Sequence, residues 1–117
     1  MEIFLFACTA TLLFAQGSSS VMRQKEKLGQ TVRLEFGDGV MDIQASIPKS
    51  HDGQVDRMDI LKDGKITKYG RERYGGRLSF RNGTLIIKDL TASDTVSYFY
   101  FFQGDPKKPA AIDLILE

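Results

Sequence analysis

The chain has 117 residues, 42% hydrophobic and 26% charged, with 16 Lys+Arg against 15 Asp+Glu and a formal net charge of +1. Such a balance gives no reason to invoke nucleic acid or an anionic membrane surface, and the length suits one domain. Cys8 is the single cysteine, which leaves no route to a Cys-ligated metal site or an intrachain disulfide.

Met1–Gly17 reads as a secretory signal peptide. Ile3–Phe14 is almost wholly apolar, long enough for an h-region and too short to span a bilayer. Ala15 and Gly17 are the small residues expected at a cleavage site after Gly17, although Glu2 stands where a basic residue is usual. The competing reading is a buried N-terminal strand. Cleavage leaves residues 18–117 as a single secreted domain with no cysteine and 16 basic against 14 acidic side chains. Small secreted domains commonly lean on disulfides because their cores are marginal. No second apolar run reaches membrane length, so no direct membrane insertion is expected of residues 18–117.

From Val32 onward the apolar period is two, with frequent turn signals. Val32, Leu34 and Phe36 alternate with Arg33 and Glu35, and Gly37-Asp38-Gly39 breaks the strand. Met41, Ile43, Ala45 and Ile47 alternate before Pro48 and the polar loop 49–54. Val55–Leu61 is the next strand, closed by Asp63-Gly64, and Ile66–Tyr69 a short one. Residues 70–76 read as a polar loop. Strands at 77–80 and 84–90 flank the Asn82-Gly83 turn, Thr91–Asp94 makes one helical turn, and 96–102 and 110–116 form a last hairpin. Many short strands with almost no helix signal predict an all-β sandwich or barrel.

The run Asp94-Thr95-Val96-Ser97-Tyr98-Phe99-Tyr100 resembles the closing-strand pattern D-x-G-x-Y-x-C of immunoglobulin domains, with Val96 for the glycine and Tyr100 for the cysteine. Gly29–Phe36 is similar to the B-strand pattern G-x-x-V-x-L-x-C, with Phe36 at the cysteine; Met58–Gly64 resembles x-x-W-x-K-D-G, with Ile60 at the core tryptophan. Leu85, Ile87 and Leu90 match the E strand. On these residues the chain resembles an immunoglobulin-superfamily domain of the variable or intermediate kind. An immunoglobulin-like Greek-key β-sandwich without its disulfide is thereby implied. So are an Arg77–Asp94 ion pair and a tyrosine corner at Tyr98. Phe36, Ile60 and Tyr100 replace the cysteines and tryptophan together, each burial contributing about 1.5–3 kcal/mol. The 24 residues from Phe36 to Ile60 exceed the family's usual spacing. The run Asn82–Leu90 also looks like the disulfide-free outer domains of SLAM-type lymphocyte adhesion receptors and their ligands.

An enzyme reading has little to stand on. His51 is the only histidine and sits in a polar loop, and Asp56 and Asp59 read as solvated charges. No glycine pattern matches a phosphate-binding fingerprint, and no cofactor is implied. Strand parity is more informative. The resemblance puts Tyr98 and Tyr100 inward, with Phe102 on their side, which turns Phe99 and Phe101 outward. The same parity sends Met58, Ile60, Ile112, Leu114 and Leu116 inward and Asp59, Leu61, Asp113 and Ile115 outward. Phe99, Phe101, Leu61 and Ile115 would make an apolar patch too large to leave wet on a typical monomer, unless the long B-to-C or C′–D segment folds over it.

The function expected is therefore recognition or adhesion through the sheet of strands G, F, C and C′, by homodimerisation or by engaging a cell-surface receptor. The alternatives are an extracellular carrier or inhibitor holding a small apolar ligand or peptide on the same aromatics, and a structural component of the extracellular matrix. Asn82-Gly83-Thr84 is a glycosylation sequon and equally an ordinary hairpin turn. Lys107-Lys108, between Pro106 and Pro109, marks a solvated hairpin tip.

Overall fold

A computed structural model describes residues 20–48 and 55–117. The signal-peptide reading, Cys8, His51 and the loop 49–54 lie outside the described residues. Among the described residues nine strands form two sheets: β1 (Ser20–Glu26), β2 (Val32–Glu35), β3 (Ile43–Pro48), β4 (Val55–Lys62), β5 (Lys65–Ile66), β6 (Leu78–Arg81), β7 (Thr84–Ile87), β8 (Ser97–Phe101) and β9 (Pro109–Leu116). The six-stranded sheet runs β1-β9-β8-β3-β4-β5 and the three-stranded sheet β2-β7-β6. The β1–β9 pair is parallel and the others are antiparallel.

Period-two patterning dictates which side each strand buries. Val32 and Leu34 are buried while Arg33 and Glu35 are exposed, and Leu85 and Ile87 face them from β7. With Ile43, Ala45, Ile60, Tyr98, Ile112 and Leu114 they form one continuous core between the sheets. At its centre Phe36 meets Tyr100 edge to face, ring centroids 4.7 Å apart. Both are buried, so an aromatic pair fills the layer where a disulfide would cross.

Three expectations need correction. The strand beside β8 is β3, not β4: Gln44 pairs with Phe99 and Ala45 with Tyr98. The core residues of that central strand are therefore Ile43 and Ala45, and Ile60 lies one strand further out, buried but not in the tryptophan's strand. The apparent excess of residues between Phe36 and Ile60 belongs to the β3–β4 hairpin. Second, Leu61 does not point outward; it is fully buried. The register slips between Ile43 and Gln44, so that Ile43 pairs with Leu61 and Gln44 with Asp59. That bulge reverses the parity beyond it and puts Ile60 and Leu61 both inside. Third, α1 (Lys68–Tyr74) replaces the short strand and loop expected there. Thr67 caps it, its Oγ1 accepting from the Gly70 N–H at 3.0 Å and donating to the Asp59 carbonyl at 2.7 Å. Gly70 and Tyr74, four apart, are its buried face, and Gly75 ends it at φ 65°.

β1 was not expected either, because its alternation is weak and its side chains are mostly polar or exposed. Backbone pairing to β9 fixes it, from Ser20↔Ala110 to Glu26↔Leu116. Three inward assignments by parity also fail. Phe102 leaves β8 for a single helical turn, Phe102–Gly104, with Gln103 at φ 56°, and is exposed. Met58 and Leu116 are exposed as well.

At one end of the sandwich the Asn82-Gly83 turn sits on the β2–β3 loop. The Gly83 carbonyl accepts from the Phe36 and Gly37 N–H groups at 2.8 and 3.2 Å. Gly83 has φ 80°, and a Cβ there would collide with the Gly37 carbonyl oxygen. Gly83→Ala should accordingly cost more than about 1 kcal/mol, seen as a lower midpoint in urea; an unchanged midpoint would refute the clamp.

Candidate recognition face

The outer surface of the six-stranded sheet is built around β8. Strand alternation turns Ser97, Phe99 and Phe101 to this side, with Gln44 and Arg57 across one flank and Ala111 and Asp113 across the other. β1 extends it, setting Val21 beside Ala111 and Arg23 beside Asp113. Part of this surface is an open groove of about 480 Å³ lined by Phe99, Val21, Gln44, Arg57, Asp59 and Phe101 among others.

Each part of the groove has a physical hold. The Arg57 guanidinium carbon lies 3.8 Å from the Phe99 ring centroid, a cation–π stack that covers half of the aromatic while leaving the charge in water. Gln44 Nε2 donates to Asp59 Oδ1 at 3.1 Å, fixing the next pair along. Phe101 has no such cover and is 43% exposed, and Val21 is 52% exposed. Further along the face, Ser97 Oγ donates to Asp113 Oδ1 at 2.6 Å, and the Ser97 N–H donates to Ser46 Oγ at 3.1 Å.

Of the residues expected on this face, Phe99, Phe101 and Asp59 come together in the groove. Asp113 and Ile115 stand on the same side of β9 but outside it, both half-buried. Leu61 is absent because of the bulge. The surface is thus smaller and more polar than four clustered hydrophobes would be. Sequence reasoning missed Arg57, Gln44 and Val21. Arg57 was within reach, since it lies two positions from Asp59 and must share its side; Gln44 needed β3 in its true place, and Val21 needed β1.

The C′–D segment, which could have covered the groove, packs elsewhere. α1 closes the core against β4 and β6. Arg73 donates to the Ser46 carbonyl and to the Ser93 carbonyl, each at 3.2 Å, tying the helix to the sheet and to the turn 92–94. Tyr98 donates to the Asp94 carbonyl at 2.7 Å, which closes the expected tyrosine corner. With that proton committed, Tyr74 is the donor in the 2.8 Å Tyr74–Tyr98 contact. Burial pushes both phenols above their ordinary pKa. Arg77 grips Asp94 with Nη1–Oδ2 2.7 Å and Nη2–Oδ1 3.2 Å. Burial alone would raise the Asp94 carboxyl, but Arg77 and the Thr91 backbone N–H outweigh it and hold the group below its ordinary value.

No helix among the described residues is long and apolar enough to cross a membrane. No protein-family model matches the chain, and no curated protein matches it. Among solved structures it is similar to the first immunoglobulin-like domain of the human CD48 antigen, with 16% identity over 86% of this chain and 85% of that one and a TM-score of 0.54. The two-sheet topology, the tyrosine corner, the Arg77–Asp94 bridge and that likeness agree. The chain has an immunoglobulin-like β-sandwich fold, built without a disulfide.

Proposed function

We propose that this protein is an extracellular recognition module that binds another protein, a second copy or a cell-surface receptor, through the outer face of its six-stranded sheet. One observation carries the reading: a groove open to solvent, lined by Phe99 and Phe101, which no described segment covers. Aromatic side chains ringed by charged ones are how protein interfaces anchor and orient a partner. Arg57 and Asp59 would then supply register and the aromatics most of the affinity. An enclosed cavity would favour a carrier of small apolar ligands, since such sites bury most of the ligand's surface; this groove is partly open to solvent.

The test is the association state of the purified protein by sedimentation, followed by titration onto cells of the source. Phe101→Asp lies on an exposed position and should leave the unfolding midpoint within about 0.5 kcal/mol of the parent. It should weaken self-association or cell binding at least tenfold, about 1.4 kcal/mol. Binding that survives both Phe101→Asp and Arg57→Ala would remove this face from consideration.

A further inference from the structure

A second groove lies at the loop end, and a small cleft lined by Val40, Met41, Asp42 and Phe101 stands between it and the recognition face. The second groove has a volume of about 480 Å³ and is lined by Asp38, Val40, Met41, Phe80, Arg81 and Asn82 among others. Phe80 is packed against the core but only half-buried. Asn82 stands at the rim, exposed, at φ 48°, in a two-residue turn with Gly83 at φ 80°. That turn is held rigid by the two hydrogen bonds from Phe36 and Gly37 to the Gly83 carbonyl. Phe80 and Asn82 are two positions apart across the start of the hairpin turn and open onto the same groove. Asn82-Gly83-Thr84 is an acceptor sequence for N-linked sugar.

We infer that Asn82 carries an N-linked glycan whose first N-acetylglucosamine lies in this groove against the Phe80 ring and braces the disulfide-free sandwich. The inference rests on the extracellular reading above, because the transfer takes place in the secretory pathway. In that transfer the Asn82 side-chain nitrogen displaces the diphosphate of a lipid-linked oligosaccharide at C1 of its reducing sugar. A C–N bond forms, the C–O bond to the diphosphate breaks, the amide gives up one proton and the lipid diphosphate leaves. The geometry favours a packed sugar over a dangling one. The pyranose offers a C–H face that gains by leaving water against an aromatic, while Asp38 and Arg81 at the rim offer charged partners for its hydroxyl and acetamido groups. Because the turn is already ordered, little freedom is lost when the first sugar settles. The glycan grows from the β6–β7 turn of the three-stranded sheet, whereas Phe99 lies on the six-stranded sheet.

The full chain, expressed in a eukaryotic secretory host, should leave the cell with one oligosaccharide at Asn82, read from the intact mass and from its loss in Asn82→Gln. Trimming to a single N-acetylglucosamine should keep the thermal midpoint. Taking off that last sugar should lower it by roughly 4–8 °C, the shift that one modest interaction gives a domain of this size. In Phe80→Leu the same removal should shift the midpoint by less than half as much; the wild-type comparison stands by itself if that variant does not fold. A secreted protein with bare Asn82 would overturn the inference and leave the recognition face untouched. So would a removable sugar without thermal effect, or an equal effect in Phe80→Leu. Retention of the chain in the cytosol would overturn both proposals.

Discussion

Phe36→Ala should cost the domain about 3–5 kcal/mol, the usual range for emptying a large aromatic from a core. Phe36 is buried between the sheets and meets Tyr100 edge to face at 4.7 Å, so truncation removes both its burial and a directional contact worth about 0.5–1.5 kcal/mol. The loss is of the same order as the roughly 2–4 kcal/mol that a disulfide supplies. Most domains have only about 5–15 kcal/mol to lose. Urea unfolding of Phe36→Ala, Tyr100→Leu and the double variant would measure the pair directly. A coupling near zero, or a Phe36→Ala loss under about 1 kcal/mol, would mean that the central layer does not depend on this pair.

The pair could be found from the sequence because the immunoglobulin resemblance puts Phe36 and Tyr100 at its two cysteine positions. From Arg77 to Tyr100 strand follows strand with one tight turn between β6 and β7 and one helical turn before β8, so parity carries through. The tyrosine corner and the Arg77–Asp94 bridge formed where the resemblance put them. Parity fails where an unpredictable irregularity intervenes. The bulge beside Ile43 is set by how β3 and β4 pair, which neither strand's own sequence declares, and Leu61 went to the wrong side because of it. β3 itself was recognised as a strand, but its neighbours in the sheet are a tertiary fact, and with β4 taken for the central strand Ile60 inherited a role that belongs to Ile43 and Ala45. β1 fails for another reason: as an edge strand it is held by backbone pairing and needs no clear apolar alternation. In α1, the Thr67 cap, the Lys68–Glu72 spacing and the terminal Gly75 were legible helix signals, outweighed by the polar, glycine-containing composition of the segment.

These placements also separate the domain's two kinds of aromatic. Tyr98 and Tyr100 hold the sandwich together, and Phe99 and Phe101, interleaved with them on one strand, contribute to the core only in part. Arg57 stacks on one of the outward pair and leaves the other open. A fold satisfied by its inward residues gives no structural reason for Phe101 to be aromatic at 43% exposure. Recognition of a partner supplies one.

Asp94→Ala should cost about 3 kcal/mol, near the low end for breaking a buried ion pair, because Arg77 is partly exposed and keeps the Lys88 and Asp89 carbonyls as acceptors. The variant also strips the Thr91 N–H of its acceptor at 2.9 Å and so loosens the turn that carries the tyrosine corner. The pH dependence gives the test its sharpness. In the native protein Asp94 titrates below its unfolded value of 3.8, so its contribution is complete above that pH and is lost as the pH falls through the folded value. Asp94→Ala should therefore be less stable than the parent near neutrality, and the parent should lose this advantage progressively below pH 3.8. At the alkaline end the sign is reversed. Tyr74 and Tyr98 have folded values raised above 10.0 by burial, so their contribution is complete below that pH and is lost as the pH climbs past it. Tyr74→Phe removes one of these groups and keeps the Tyr98–Asp94 bond, which should flatten the alkaline limb without touching the acid one. Parallel acid limbs for parent and Asp94→Ala would show that the bridge contributes through shape alone. Converging limbs would show that charge holds this end of the sandwich, while the Phe36–Tyr100 pair holds its middle.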